Sequence, residues 1–204
     1  MKITLLDITQ NATDLIESIG RICYDSKASP NYIKGTIVKN LIKNGHTSVL
    51  EHGKATFKIE GVSRSLTHQL VRHRLASYTQ RSQRYCKEDN FGYVVPDSLL
   101  DDKYLNSKAK EIFDKAMIDA TNSYNSLIEA GLKPEDARSV LPNACFTTIV
   151  MTANFREWRS VFELRCEKHA QKEIRNLCNL ILKCLYEHEP SIFEDQIDKF
   201  GLKS

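Results

Sequence analysis

The densest anion-binding chemistry in the chain lies at Arg72-His73-Arg74, followed by Ser77, Ser82 and Arg84. From Gly61 to Lys87 there is no Asp or Glu, yet the stretch holds Arg64, Arg72, Arg74, Arg81, Arg84, Lys87 and two histidines. Five of the eleven arginines of the chain fall between positions 64 and 84, so the cations are concentrated rather than scattered. A planar guanidinium fork suits phosphate and carboxylate oxygens, and serine hydroxyls complete such a cradle. No G-x-x-x-x-G-K-[ST] or G-x-G-x-x-G pattern stands elsewhere to bind phosphate. The plainer reading is a solvated helix terminus, where each cation gains about 0.3–1 kcal/mol from the helix dipole.

Two further groups carry polar chemistry. His46-Thr47-Ser48-Val49-Leu50-Glu51-His52 offers two imidazoles and a carboxylate, but histidines six apart do not share a helical face as a four-residue zinc pair does. The segment reads as a binding loop, a hydrogen-bonded turn or, least well, a metal site. Asn154, Arg156, Arg159, Ser160, Arg165 and His169 interleave with Trp158 and Phe162. On a helix starting after Asn154, the residues Trp158, Phe162, Arg165 and His169 fall along one side. Arg165 then emerges among aromatics and needs a partner, which could be Glu163, Glu167 or the acidic or carbonyl edge of a ligand. The six cysteines lack C-x-x-C and zinc-finger spacing and read as reduced, mostly buried thiols; Cys86, beside positive charge, is the one whose thiolate could be favoured.

The elements that must position these residues follow from periodicity. Lys2 to Ile8 alternates as a strand, and Asn11 or Thr13 could cap a helix carrying Leu15, Ile16 and Ile19. A second helix is predicted from about Pro30 to Lys43, stopping at Asn44-Gly45. Ala55, Phe57 and Ile59 form the buried side of a strand ending at Gly61. Val62, Leu66 and Leu70 mark a helix ending near Arg72-His73-Arg74. Ser77 to Tyr93 reads as a loop with short extended pieces. Leu105 to Ala130 and the shorter Pro134 to Ser139 read as helices, and Ala144 to Thr152 as a strand. Asn154 with Glu157 resembles a capping box. Leu164, Ile174, Leu177, Ile181 and Leu185 form the core-facing stripe of the last helices.

A chain of 204 residues with 41% hydrophobic and 27% charged residues suits one globular α/β domain and excludes low-complexity or disordered classes. No run approaches the ~20 apolar residues of a membrane span, and MKITLLDITQ lacks a signal-peptide layout, so a cytoplasmic protein without membrane partners is expected. The net charge of +3, from 29 basic and 26 acidic side chains, is too small to predict nucleic-acid binding by itself.

Arg72-His73-Arg74, seven residues, then Ser82, continuing to Arg84-Tyr85, resembles the signature of the flavin-dependent thymidylate synthases. Three more stretches are similar to that family in the same order: Gly45-His46-Thr47-Ser48 with Glu51-His52; Glu135-Asp136-Ala137-Arg138 with Leu141-Pro142; and Asn154-Phe155-Arg156 with Leu164-Arg165 and His169-Ala170-Gln171. The sequence departs from the family pattern at Gln80 (usually Glu), Thr79 and Ser160 (commonly Asn) and Val49-Leu50 (a Pro-Phe pair).

The resemblance implies an α/β fold of the α+β kind, a single domain over residues 1–204 with a mainly antiparallel central sheet flanked by long helices. It also implies a homotetramer whose sites are shared between subunits. The implied reaction is reductive methylation of dUMP to dTMP, with methylenetetrahydrofolate as carbon donor and FAD relaying hydride from NADPH. Carried over by position, His46, Ser48, Glu51, Arg72, His73, Arg74, Gln80, Asn154, Arg156 and Ser160 would hold the flavin. Gln69, Leu70, Val71, Arg72, Gln80, Arg81, Ser82, Gln83, Arg84, Arg138 and Arg165 would surround the nucleotide. Arg165 would be the catalytic group, activating the uracil ring electrostatically because a guanidinium is too weak an acid to exchange protons. Ser82 would bind phosphate, since nothing in Arg81-Ser82-Gln83-Arg84 supplies the base a nucleophilic serine needs. No metal is expected. Competing readings are a related enzyme acting on UMP or transferring hydroxymethyl, an RNA-binding protein using residues 61–87 with Tyr78, Tyr85, Phe91 and Tyr93, and a metal-dependent phosphohydrolase using His46, His52, His68 and His73.

Overall fold

The computed structural model describes residues 1–23, 25–26, 31–105 and 107–203. Its elements in order are β1 (Lys2–Ile8), α1 (Ala12–Ile22), α2 (Thr36–Lys43), β2 (Lys54–Ser63), α3 (Arg64–Leu70), β3 (Ala76–Gln80), α4 (Asp102–Leu105), α5 (Lys108–Glu129), α6 (Pro134–Ala137), β4 (Phe146–Asn154), α7 (Phe155–Arg165), α8 (Lys172–His188) and α9 (Pro190–Lys199), with 3₁₀ turns at Thr47–His52, Asp97–Leu99 and Arg138–Val140. The strands form an antiparallel sheet in the order β1-β2-β4-β3, so the fold is of the mixed kind expected. The chain packs as two compact units.

The first unit comprises Met1–Lys2, Ile59–Arg72 and Thr79–Ile149. β2 was expected to end at Gly61, but it continues to Ser63. Gly61 takes φ +66°, a left-handed conformation that a side chain resists; the inward set shifts there from Ala55, Phe57 and Ile59 to Val62. Ser63 then caps α3, its hydroxyl accepting from the Leu66 amide at 3.0 Å. Residues 76–80 form a strand, where only extended pieces were anticipated; Arg81 N, just beyond it, donates to Thr148 O at 2.9 Å. The helix predicted over Leu105 to Ala130 forms as the 22-residue α5, with Ser107 capping it by accepting from the Lys110 amide, and the short α4 precedes it. Helical structure at Pro134 ends at Ala137 and tightens into a 3₁₀ turn that carries Arg138.

The second unit comprises Ile3–Lys58, His73–Tyr78 and Val150–Ser204. Asn11 precedes α1 with φ +50° and makes no side-chain cap. Its place is taken by Glu189, whose carboxylate accepts from Ala12 N, Thr13 N and the Thr13 hydroxyl at 2.6–3.2 Å. α2 begins at Thr36; the start expected at Pro30 lies outside the described residues. It stops as predicted at Asn44-Gly45, with Gly45 at φ +76° and His46 N donating to Leu41 O at 2.8 Å, a Schellman closure. The capping box forms in part: Asn154 Oδ1 accepts from Glu157 N at 2.8 Å, while the Glu157 carboxylate turns elsewhere. Core packing centres on Trp158, which meets Phe57 edge to face at 5.4 Å and donates its Nε1 proton to Ala55 O. Ile174, Leu177, Ile181 and Leu185 of α8 are fully buried, whereas Leu164 is 59% exposed because it lies on the outer side of α7. His169 also leaves the expected line, since α7 ends at Arg165 and His169 sits exposed in the following turn.

Candidate functional site

In the first unit the cationic stretch is less bare than its sequence suggests, because tertiary structure brings acids to it. Arg81 pairs with Glu88, which is buried to 4% exposure, and Arg84 Nε donates to Glu135 Oε2 at 2.5 Å. Arg138 reaches the same residue, its Nε donating to Glu135 O at 3.0 Å, so two expected nucleotide residues 54 positions apart converge on Glu135. Sequence reasoning missed Glu88 and Glu135 as partners; Glu88 stands directly after the acid-free run, and that was the available signal. Ser82 Oγ accepts from Arg84 N at 3.2 Å and the Cys86 amide donates to Ser82 O at 3.0 Å, a turn that presents the serine hydroxyl beside Gln83. Gln83 is 6% exposed, and among the described residues its Nε2 has no partner. A buried donor without an acceptor costs about 1–3 kcal/mol, so this amide suits a ligand oxygen.

Gln80 differs: its Nε2 donates to Thr67 Oγ1 at 3.0 Å and Thr147 Oγ1 at 3.2 Å. Its amide is used inside the unit. Leu70 is fully buried, while Gln69 is half-buried and Val71 and Arg72 are exposed at the end of α3.

The second unit assembles the other set. A cleft of about 350 Å³ is lined by Gly45, His46, Ser48, Val49, Cys23 and Arg156, which brings three expected flavin residues to one cleft. Glu51 binds Arg156 at 2.5 Å and both remain about half exposed. Asn154 spends its Oδ1 on the α7 cap, and Ser160, exposed on α7, donates to Arg156 O at 3.2 Å.

Arg74 is exposed, but His73 is buried to 6%. Among the described residues neither Arg72 nor Arg74 has an acidic partner. The Arg165 Nε–H donates to His73 Nε2 at 3.1 Å, and Glu157 Oε1 lies 3.7 Å from His73 Nδ1. The Tyr78 hydroxyl donates to His73 O at 2.8 Å. Burial first, and then the Arg165 charge, lower the His73 pKa to about 4; burial raises the Glu157 pKa, and burial with the Glu157 charge raises that of Tyr78. His73 is therefore neutral at pH 7. Glu163, a suggested Arg165 partner, instead binds Lys199 and Gln196.

Of the cysteines, Cys145, Cys166 and Cys178 are buried, Cys86 and Cys184 half-buried and Cys23 exposed. Burial pushes the Cys145 and Cys166 thiols up to about 12 and Cys178 well above its ordinary value. No group of three or more His, Cys, Asp or Glu among the described residues could hold a metal ion, and no described helix is long and apolar enough to cross a membrane.

Residues 4–191 match the sequence model of a family described as "Thymidylate synthase complementing protein". The chain is similar to the flavin-dependent thymidylate synthase of Geobacter sulfurreducens, 42% identical over 96% of this chain and 86% of the relative. The protein of the same name from Clostridium tetani is 39% identical over 95% and 86%, and that of Mycobacterium tuberculosis H37Ra 40% identical over 89% and 78%.

Proposed function

Because the chain belongs to the thymidylate synthase complementing protein family, we propose that it is a flavin-dependent thymidylate synthase that converts dUMP to dTMP. C5 of the uracil loses a proton and gains a methyl group made of one carbon and one hydride. When bound, FAD reduced by NADPH supplies the hydride and methylenetetrahydrofolate the carbon. The residues present fit these ligands. FAD and dUMP both carry phosphate, and among the described residues the signature stretch keeps Arg72 and Arg74 without acidic partners.

The observation that carries the reading is the buried Gln83 Nε2, a donor without an acceptor in the middle of the arginine and serine run. With the Ser82 hydroxyl and the Arg84–Glu135–Arg138 group it forms the nucleotide side, to which Gln69, Leu70, Val71, Arg72, Gln80 and Arg81 also belong. The Gln80 Nε2 is bonded to Thr67 and Thr147, which leaves its Oε1 as the atom for a ligand. His46, Ser48 and Arg156 at the cleft, with Glu51 on Arg156, are assigned to the flavin; Asn154, Ser160, Arg72, His73 and Arg74 join them by resemblance to the family.

Arg165 does the chemistry this chain contributes. A guanidinium at the N3–O4 edge of uracil favours the ionised ring, since an adjacent opposite charge lowers a pKa, and the added electron density makes C5 nucleophilic. Assembly as a homotetramer belongs to the same reading. It is supported by the apolar surface of α5, where Ile112 and Ile118 are 60% and 58% exposed.

The purified protein is expected to be yellow and to oxidise reduced flavin with methylenetetrahydrofolate only when dUMP is present, with UMP as the parallel control. Arg165→Ala should keep flavin and lose methyl transfer. Colourless protein that ignores added FAD, or full turnover by Arg165→Ala, would refute the assignment.

A further inference from the structure

α7 sends two side chains of opposite charge to one imidazole: Glu157 to within 3.7 Å of His73 Nδ1 and Arg165, two helical turns on, to 3.1 Å from Nε2. An arginine only donates, so Nε2 is the acceptor and the ring proton lies on Nδ1, facing the carboxylate. Both neighbours favour that tautomer. The ring is buried, and the Tyr78 hydroxyl fixes the His73 carbonyl from the other side.

We infer that His73 is a positioning residue, which acts through Arg165 by holding its guanidinium at the angle the pyrimidine edge requires. This rests on the assignment of Arg165 above. Arginine has four flexible side-chain torsions, and a half-buried guanidinium that must meet a planar ring edge loses effectiveness when it is displaced by about 1 Å. A fixed acceptor on Nε sets the plane of the head group. Protonated histidine could not do this, since both ring nitrogens would then donate and a second cation would face Arg165; the low pKa of His73, about 4, keeps the acceptor available.

The test is a double-mutant cycle on the flavin-loaded protein. It reads the bound flavin ratio, dUMP affinity by calorimetry, and kcat for tritium release from [5-³H]dUMP. His73→Leu should lower kcat per bound flavin about 10–100-fold and cause no further loss in the residual activity of an Arg165→Ala background. His73→Gln places an amide oxygen near the Nε2 position and should recover most of the loss. Additive losses in the double variant, a His73→Gln as impaired as His73→Leu, or losses that vanish once activity is normalised to bound flavin would overturn the inference. An inactive Arg165→Ala beside a fully active His73→Leu would sink the positioning role alone, whereas an active Arg165→Ala would sink both readings.

Discussion

Gln80 Nε2 stands 3.0 Å from Thr67 Oγ1, and this hydroxyl passes its own proton to Arg64 O at 3.0 Å. The direction of the chain is therefore set: the residue at position 80 must donate. The second acceptor, Thr147 Oγ1 at 3.2 Å, ties the same amide to β4. This gives a physical reason for an amide at a position where the family usually carries a carboxylate.

Gln80→Glu should destabilise the protein by about 1–3 kcal/mol at neutral pH, because an ionised carboxylate cannot donate to Thr67. The introduced acid would be harder to ionise in the folded protein, so the deficit should shrink as pH falls through its raised pKa. Thermal unfolding at pH 8 and pH 5 measures this. A variant equal to wild type at both values would show that the amide direction carries no stability.

His73 has a folded pKa of about 4, below its ordinary 6.5. Between these values the unfolded chain binds more protons than the native one, so His73 causes stability to fall as pH drops from about 6.5 and to level off below about 4. Urea titrations across that range, with His73→Gln as the reference that cancels other groups, should give a steeper acid loss in the wild type. Parallel curves would contradict the buried neutral imidazole.

Gln83→Met should act in opposite directions on stability and binding. Removing a buried donor that lacks an acceptor should raise the melting temperature of the ligand-free protein, while the loss of its bond to ligand should weaken dUMP binding about tenfold or more. Calorimetry and thermal unfolding on the same sample read both signs. Unchanged dUMP affinity would remove Gln83 from the nucleotide site.

Ser82→Ala should weaken dUMP binding, by about 1.5–3 kcal/mol if the hydroxyl meets a charged phosphate oxygen, and leave kcat near wild type at saturating dUMP. Among the described residues no carboxylate or imidazole is bonded to the Ser82 hydroxyl, which accepts from the Arg84 amide. Abolished turnover with intact affinity would restore the serine as a nucleophile.

The sequence by itself determined what depends on neighbours along the chain. Alternation marked β1 and the first part of β2, the α8 stripe followed the 3.6-residue period, the Asn154 cap lay three residues from its amide, and Gly45 ended α2. Four ordered motifs likewise carried the resemblance to the family whose model residues 4–191 match. Only tertiary structure decided how those residues are paired, because pairing depends on which side chains the fold brings within about 3 Å. Glu88 and Glu135 neutralise two arginines of an apparently acid-free run, and Glu189 caps α1 from 177 positions away. Arg165 donates to a histidine 92 residues back, while Glu163 and Glu167, its neighbours in sequence, both meet Lys199.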